Sequence, residues 1–129
     1  IKMYLIFDGG NGGVQKSKGY GSFKLYVEKG GELLEHVQEY QFDGQMTSNE
    51  AEYNTLIIAL EFIRTVYDNT KFLVIEGDSE LVRSQVLGLY KVKALHLQVL
   101  RTKVINLLEG ITYTYNHISR DIVVAEFGH

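Results

Sequence analysis

The sequence predicts an α/β fold, with one mixed five-stranded sheet in the chain order βββαβααβ and helices on both faces. Three observations predict it. Residues 2–42 contain three strand-like runs in succession, separated by glycine-rich turns. A capped, amphipathic helix begins at Thr47. Beyond it, an unbroken apolar run at 71–77 and an alternating run at 112–118 are separated by two helical segments.

Lys2 to Phe7 is a short apolar strand that ends in Asp8-Gly9-Gly10, followed by a polar, glycine-rich stretch to Lys18. Gly19 to Glu28 alternates Tyr20, Ser22, Lys24 and Tyr26 against Gly21, Phe23, Leu25 and Val27. Lys29-Gly30-Gly31 supplies a hairpin turn, and Glu32 to Phe42 completes an antiparallel meander. Thr47 followed three residues later by Glu50 fits a capping box, in which each side chain satisfies an orphan backbone N–H. Leu56, Ala59, Leu60, Ile63 and Val66 then recur at helical spacing as one apolar face. Lys71 to Gly77 suits a strand covered on both faces. Leu81, Val82, Gln85 and Val86 mark a short helix ended by Gly88, and Leu97, Leu100, Val104 and Leu107 a longer one ended by Gly110. Thr112 to Ile118, rich in Thr and Tyr, is the fifth strand; Ser119 to His129 is expected as a loop with at most a helix stub.

At 129 residues and 45% hydrophobic content, a single domain over 1–129 with a full core is expected. Without cysteine there is neither a disulfide framework nor a thiolate metal site, which suits a reducing cytoplasm. The apolar runs are too short to span a bilayer, and Ile1 to Phe7 reads as a strand rather than a signal peptide. With 13 basic against 16 acidic side chains, a net charge of -3 argues against holding nucleic acid by bulk attraction. Any such contact must be local or metal-assisted.

Two carboxylates, Asp8 and Asp78, follow apolar strands directly, and Glu52 lies just inside the Thr47 helix, needed neither by its cap nor by its apolar face. Brought together, three acids repel unless a cation neutralises them, and hard oxygen donors point to Mg2+ or Mn2+. Each also has a plainer explanation. Asp8 serves as a turn residue before glycines, Asp78 as an N-cap, and Glu52 as a complement to the positive helix end.

Five segments in order resemble the type 1 ribonuclease H family, in particular its shorter reverse-transcriptase-like branch. They are Phe7-Asp8-Gly9-Gly10, Thr47-Ser48-Asn49-Glu50-Ala51-Glu52-Tyr53, Asp78-Ser79-Glu80-Leu81-Val82, Gly88-Leu89-Tyr90-Lys91-Val92-Lys93 and His117-Ile118-Ser119-Arg120-Asp121. The resemblance implies a ribonuclease H-like fold and two-metal hydrolysis of the RNA strand of RNA/DNA hybrids, leaving 5′-phosphate ends. It assigns metal ligation to Asp8, Glu52 and Asp78, hybrid contacts to Thr47 and Asn49, and approach to the RNA 2′-hydroxyls to the amides of Gly9 and Gly10. Lys91 and Lys93, with Arg101 and Lys103, form a small basic patch, so hybrid affinity is expected to be modest and salt-sensitive. A monomer without membrane association is expected.

The chain departs from the family pattern in its tail. There an Arg is usually followed seven residues later by an Asp in an Ala-Asp pair; here Arg120 precedes Ala125-Glu126, one residue early. Glu126 is thus the candidate fourth carboxylate, or else a solvated tail residue, and Arg120 the candidate basic group of the site, or else a partner of Asp121. Asn11-Gly12-Gly13-Val14-Gln15 stands where relatives carry Asn-Pro-Gly-Pro, and Glu50 replaces a frequent Arg or Gln. His36, His96 and His129 are expected at the surface, and His117 packed beside the site. Two other readings stay open: a non-catalytic hybrid- or RNA-binding domain with a degenerate site, and another nuclease or strand-transfer enzyme on the same fold.

Overall fold

A computed structural model describes residues 1–12 and 17–128; residues 13–15 of the variant glycine loop and His129 lie outside that description. Three strands, β1 (Lys2–Gly10), β2 (Ser17–Lys29) and β3 (Glu32–Met46), lead into helix α1 (Ser48–Val66). Strand β4 (Phe72–Gly77), helices α2 (Glu80–Val86) and α3 (Leu95–Leu107), strand β5 (Thr112–His117) and helix α4 (Arg120–Phe127) follow. The sheet order is β3-β2-β1-β4-β5. The meander pairs antiparallel, and β1/β4 and β4/β5 pair parallel, so the sheet is mixed as expected.

Local signals explain most boundaries. Gly30 and Gly31 both take positive φ, 59° and 81°, which a tight hairpin turn requires and only glycine adopts without strain. The capping box forms in full: Thr47 Oγ1 accepts from the Glu50 amide at 3.2 Å, and the Thr47 amide donates to Glu50 Oε1 at 3.1 Å. On one sheet face Met3, Leu5, Phe7, Phe23, Leu25 and Val27 pack under α1, which also packs against α3. Leu56, Leu60 and Ile63 are fully buried there, each worth about 1.5–3 kcal/mol of transfer energy. Val66, placed on that face by periodicity, is the last helical residue and is half exposed.

The tail differs from the sequence expectation. Residues 120–127 form a complete helix on the opposite sheet face, where Val123 and Phe127 pack against Ile6, Ile118 and Tyr26. No side chain caps its start, so tertiary packing rather than a local signal makes it a helix. One short helix covers only part of that face. β4 is therefore not buried on both sides: its pattern alternates, and Phe72 is exposed. Among the described residues no helix is long and apolar enough to cross a membrane.

Candidate active site

The parallel register sets Ile6 opposite Glu76, so two residues further along Asp8 and Asp78 emerge side by side at the same end of the sheet. β1 itself runs on to Gly10, because its antiparallel partner β2 continues past the point where β4 stops. Asp8 is thus held within a strand rather than in a turn. Asp78 does not cap α2; Ser79 does, accepting from the Val82 amide at 3.2 Å and leaving the Asp78 carboxylate for the site.

Glu52 arrives from the other side of β1. The Gly9 amide donates to Glu52 Oε1 at 3.2 Å, and a Cβ on Gly9 would lie 2.6 Å from the Ala51 carbonyl oxygen. Only glycine lets the first turns of α1 approach this closely. The result is a cluster in which Asp8, Glu52 and Asp78 each offer an oxygen within 4.8 Å of the others. Asp8 and Glu52 are buried, at 1% and 5% exposure. Burial, then the charges of Asp8 and Asp78, hold the Glu52 carboxyl well above the usual carboxylate range, opposed by the Gly9 bond and by Arg120.

Arg120, the first residue of α4, spans the cluster. Its Nη1 donates to Asp8 Oδ1 at 3.0 Å and to Asp78 Oδ2 at 2.9 Å. These bonds, that to Asp78 foremost, stabilise the guanidinium charge further. Arg120 thus brings a cation to a cluster of three acids. Glu52 Oε2 is buried without a hydrogen-bond partner among the described residues, and all the donors are hard oxygens. A divalent cation of the magnesium or manganese type fits this set.

Glu126, the candidate fourth carboxylate, is not part of this cluster and is engaged elsewhere. Its Oε2 accepts from Tyr26 Oη at 3.0 Å and Lys24 Nζ at 3.3 Å, on the strand face that α4 covers. Helix geometry accounts for this. Arg120 begins α4 and Glu126 lies six residues on, so about 9 Å of helix rise separates the two backbones. Burial and the Glu126 bond push Tyr26 up to about 12.

The remaining candidates divide. The Gly9 amide, expected to approach a 2′-hydroxyl, donates to Glu52 in this structure. Gly10 leaves room for the Tyr20 hydroxyl, 2.7 Å from where a Cβ would stand. Thr47 is engaged in the cap, and Asn49 is half-buried in the first turn of α1, beside the acids in sequence. Lys91, with Tyr90, Gly88, Gln98 and Arg101, lines an open cleft of about 410 Å³; Lys93 is exposed nearby in the chain and does not line it. His117 is exposed rather than packed, with Nε2 at 3.1 Å from the Asp78 carbonyl. His36 bonds Tyr67 Oη at 2.6 Å, half-buried, and His96 is exposed.

Sequence reasoning missed Lys24 and Tyr26 as the anchor of α4. Their alternation with Phe23 and Leu25 placed them on the outer face, but nothing local named a partner 100 residues away.

A family model described as reverse transcriptase-like matches residues 8–125. No curated protein sequence matches the chain. Among solved structures it is similar to RNase H1 from the halophilic archaeon Halobacterium salinarum, at 26% identity and TM-score 0.80, over 95% of this chain and 89% of that one. It is also similar to LC11-RNase H1, isolated from compost by a metagenomic approach and solved in complex with RNA/DNA hybrid. That match has 29% identity and TM-score 0.81 over 94% and 88% of the two chains. The N-terminal RNase H domain of a Mycobacterium tuberculosis protein shares the fold, at 24% identity and TM-score 0.81 over 95% and 90%. A match that begins at Asp8 and takes in Glu52, Asp78 and Arg120 covers the whole acidic cluster, and the chain belongs to the reverse transcriptase-like family.

Proposed function

We propose that the protein is an endoribonuclease that hydrolyses the RNA strand of RNA/DNA hybrids, using two divalent ions, Mg2+ or Mn2+, and leaving 5′-phosphate ends. The observation that carries this reading is the convergence of Asp8, Glu52 and Asp78 at one end of the sheet. The hybrid complex of LC11-RNase H1 supports the substrate class. Asp8, Glu52 and Asp78 would hold the ions, which when bound supply activation of the attacking water and stabilisation of the leaving 3′ oxygen.

The chain's own residues do the rest. Gly9 fixes the Glu52 carboxylate, and Thr47 sets the helix that carries both Glu52 and the hybrid-facing Asn49. Arg120 is half exposed and within reach of a phosphate seated on the acids, where it would stabilise charge developing in the transition state. The Lys91–Arg101 cleft and Lys93 would track the hybrid's backbone. We place this activity in a cytoplasmic monomer, for which the cysteine-free chain is suited.

A second reading, a non-catalytic hybrid-binding domain, is favoured by one observation: Arg120 already pairs with two of the three acids while Glu126 is engaged elsewhere. A labelled hybrid incubated with EDTA, Mg2+ or Mn2+, beside duplex DNA and duplex RNA, separates the two. Metal-dependent cutting of the hybrid's RNA strand is expected. Binding without cutting in both metals would establish the second reading.

A further inference from the structure

The Arg120 contacts have the form of a metal site already filled by a cation of the protein's own. One nitrogen, Nη1, sits 3.0 Å from Asp8 and 2.9 Å from Asp78, taking an oxygen from each of two residues that form the candidate metal cluster. Three carboxylates with two nearly buried would repel strongly if left alone. The guanidinium relieves part of that repulsion in the metal-free protein.

Its placement is not accidental to a floppy tail. α4 is fixed at its far end by Glu126 on Lys24 and Tyr26, and along its length by Val123, which is fully buried. The helix therefore delivers the Arg120 backbone to one place. The side chain is 50% exposed, so it can leave the acids for solvent without opening the core. A cation held in this way by a rigid arm and a releasable head can be exchanged for another.

We propose that Arg120 is a resident counter-ion of the acidic cluster, which divalent metal displaces on loading. This rests on the metal-binding reading given above. Arginine and metal then compete for Asp8 and Asp78, and by linkage whatever stabilises the metal-free site weakens metal affinity by the same factor. Arg120 thus sets a threshold of metal concentration for loading, and on release becomes free to meet a substrate phosphate.

The test measures metal binding, not cleavage. Protein stripped with EDTA is titrated with MnCl2 by calorimetry, with free Mn2+ followed independently by electron paramagnetic resonance, for wild type, Arg120→Ala and Arg120→Gln. Melting temperatures are recorded with EDTA and with Mn2+. Both variants are expected to bind Mn2+ at least tenfold more tightly than wild type, to melt lower in EDTA, and to recover most of that loss in Mn2+. Arg120→Gln keeps a polar, uncharged side chain on the same stem and guards against failure of the alanine variant to fold. Measurable wild-type binding with unchanged or weaker binding in the variants overturns the counter-ion role alone. Absence of Mn2+ binding in all three proteins overturns the metal reading of the site and this proposal with it.

Discussion

Replacing Glu52 by Gln should stabilise the metal-free protein while removing its activity. The change keeps the side chain's volume, and the amide oxygen can still accept from Gly9. What it removes is a charge buried at 5% exposure beside Asp8 and Asp78. An unfolded Glu ionises near 4.5, whereas burial and the two neighbouring acids raise the folded carboxyl well above that. Between those two values the native state carries the extra proton, so wild-type stability falls as pH rises through the window, and the penalty is complete above it. Each unit of such a shift is worth about 1.4 kcal/mol. Attraction to Arg120 offsets part of that penalty, and Glu52→Gln is expected to leave the metal-free protein more stable than wild type at pH 8. Since about 1 kcal/mol moves the melting temperature of a chain of this size by about 4 °C, the gain should be readable as a higher melting temperature. Melts in EDTA from pH 5 to pH 8 read it directly, and the gap between variant and wild type should widen as pH rises. A variant no more stable than wild type at pH 8, or a gap that grows on acidification, would refute the reasoning. With Mg2+ or Mn2+ present the order should reverse, since wild type alone keeps all three ligands.

Asp8→Asn and Asp78→Asn should each reduce hybrid cleavage at least 100-fold with the fold retained, checked by single-turnover assays beside circular dichroism; near-normal cleavage by either removes that residue from the site. Glu126→Ala should cost about 1 kcal/mol through its bonds to Tyr26 and Lys24, yet leave Mn2+ affinity within twofold of wild type by calorimetry. A tenfold loss of affinity there would return Glu126 to the metal set. Gly9→Ala should destabilise by about 1–3 kcal/mol in chemical denaturation and impair cleavage, because its Cβ meets the backbone of Ala51 and Glu52 at 2.6–2.8 Å, atoms that cannot rotate away.

Most of the fold was legible because its signals are local. The Gly30-Gly31 turn, the Thr47–Glu50 box and the alternation of β2 each report on their own backbone. The three acids were legible because strand ends and a helix start locate them without any long-range contact. The tail was not. Nothing in Ser119-Arg120-Asp121-Ile122-Val123 caps a helix, and what folds α4 is an apolar patch made by Ile6, Tyr26 and Ile118 on three separate segments. The partners of Glu126 were hidden for the same reason: they lie on β2, far away in the chain. The plainer role of Asp78 as an N-cap likewise fell away only when the Ser79 hydroxyl was seen to accept from the Val82 amide.

The capping box at Thr47 also fixes rotational phase. A helix advances about 100° per residue, so the residue at which α1 starts decides which side chain, among Ala51, Glu52 and Tyr53, looks toward Gly9. Thr47 and Glu50 lock that choice five residues ahead of the ligand they do not touch. Lengthening the connection before Thr47 by one residue leaves the angle intact, because the box re-forms on the same pair. One residue inserted between Glu50 and Glu52 swings the carboxylate by more than a quarter turn and brings Ala51 or the insertion to face the acids. Indel tolerance along this chain should therefore change abruptly at the helix start, from slack on one side to none on the other.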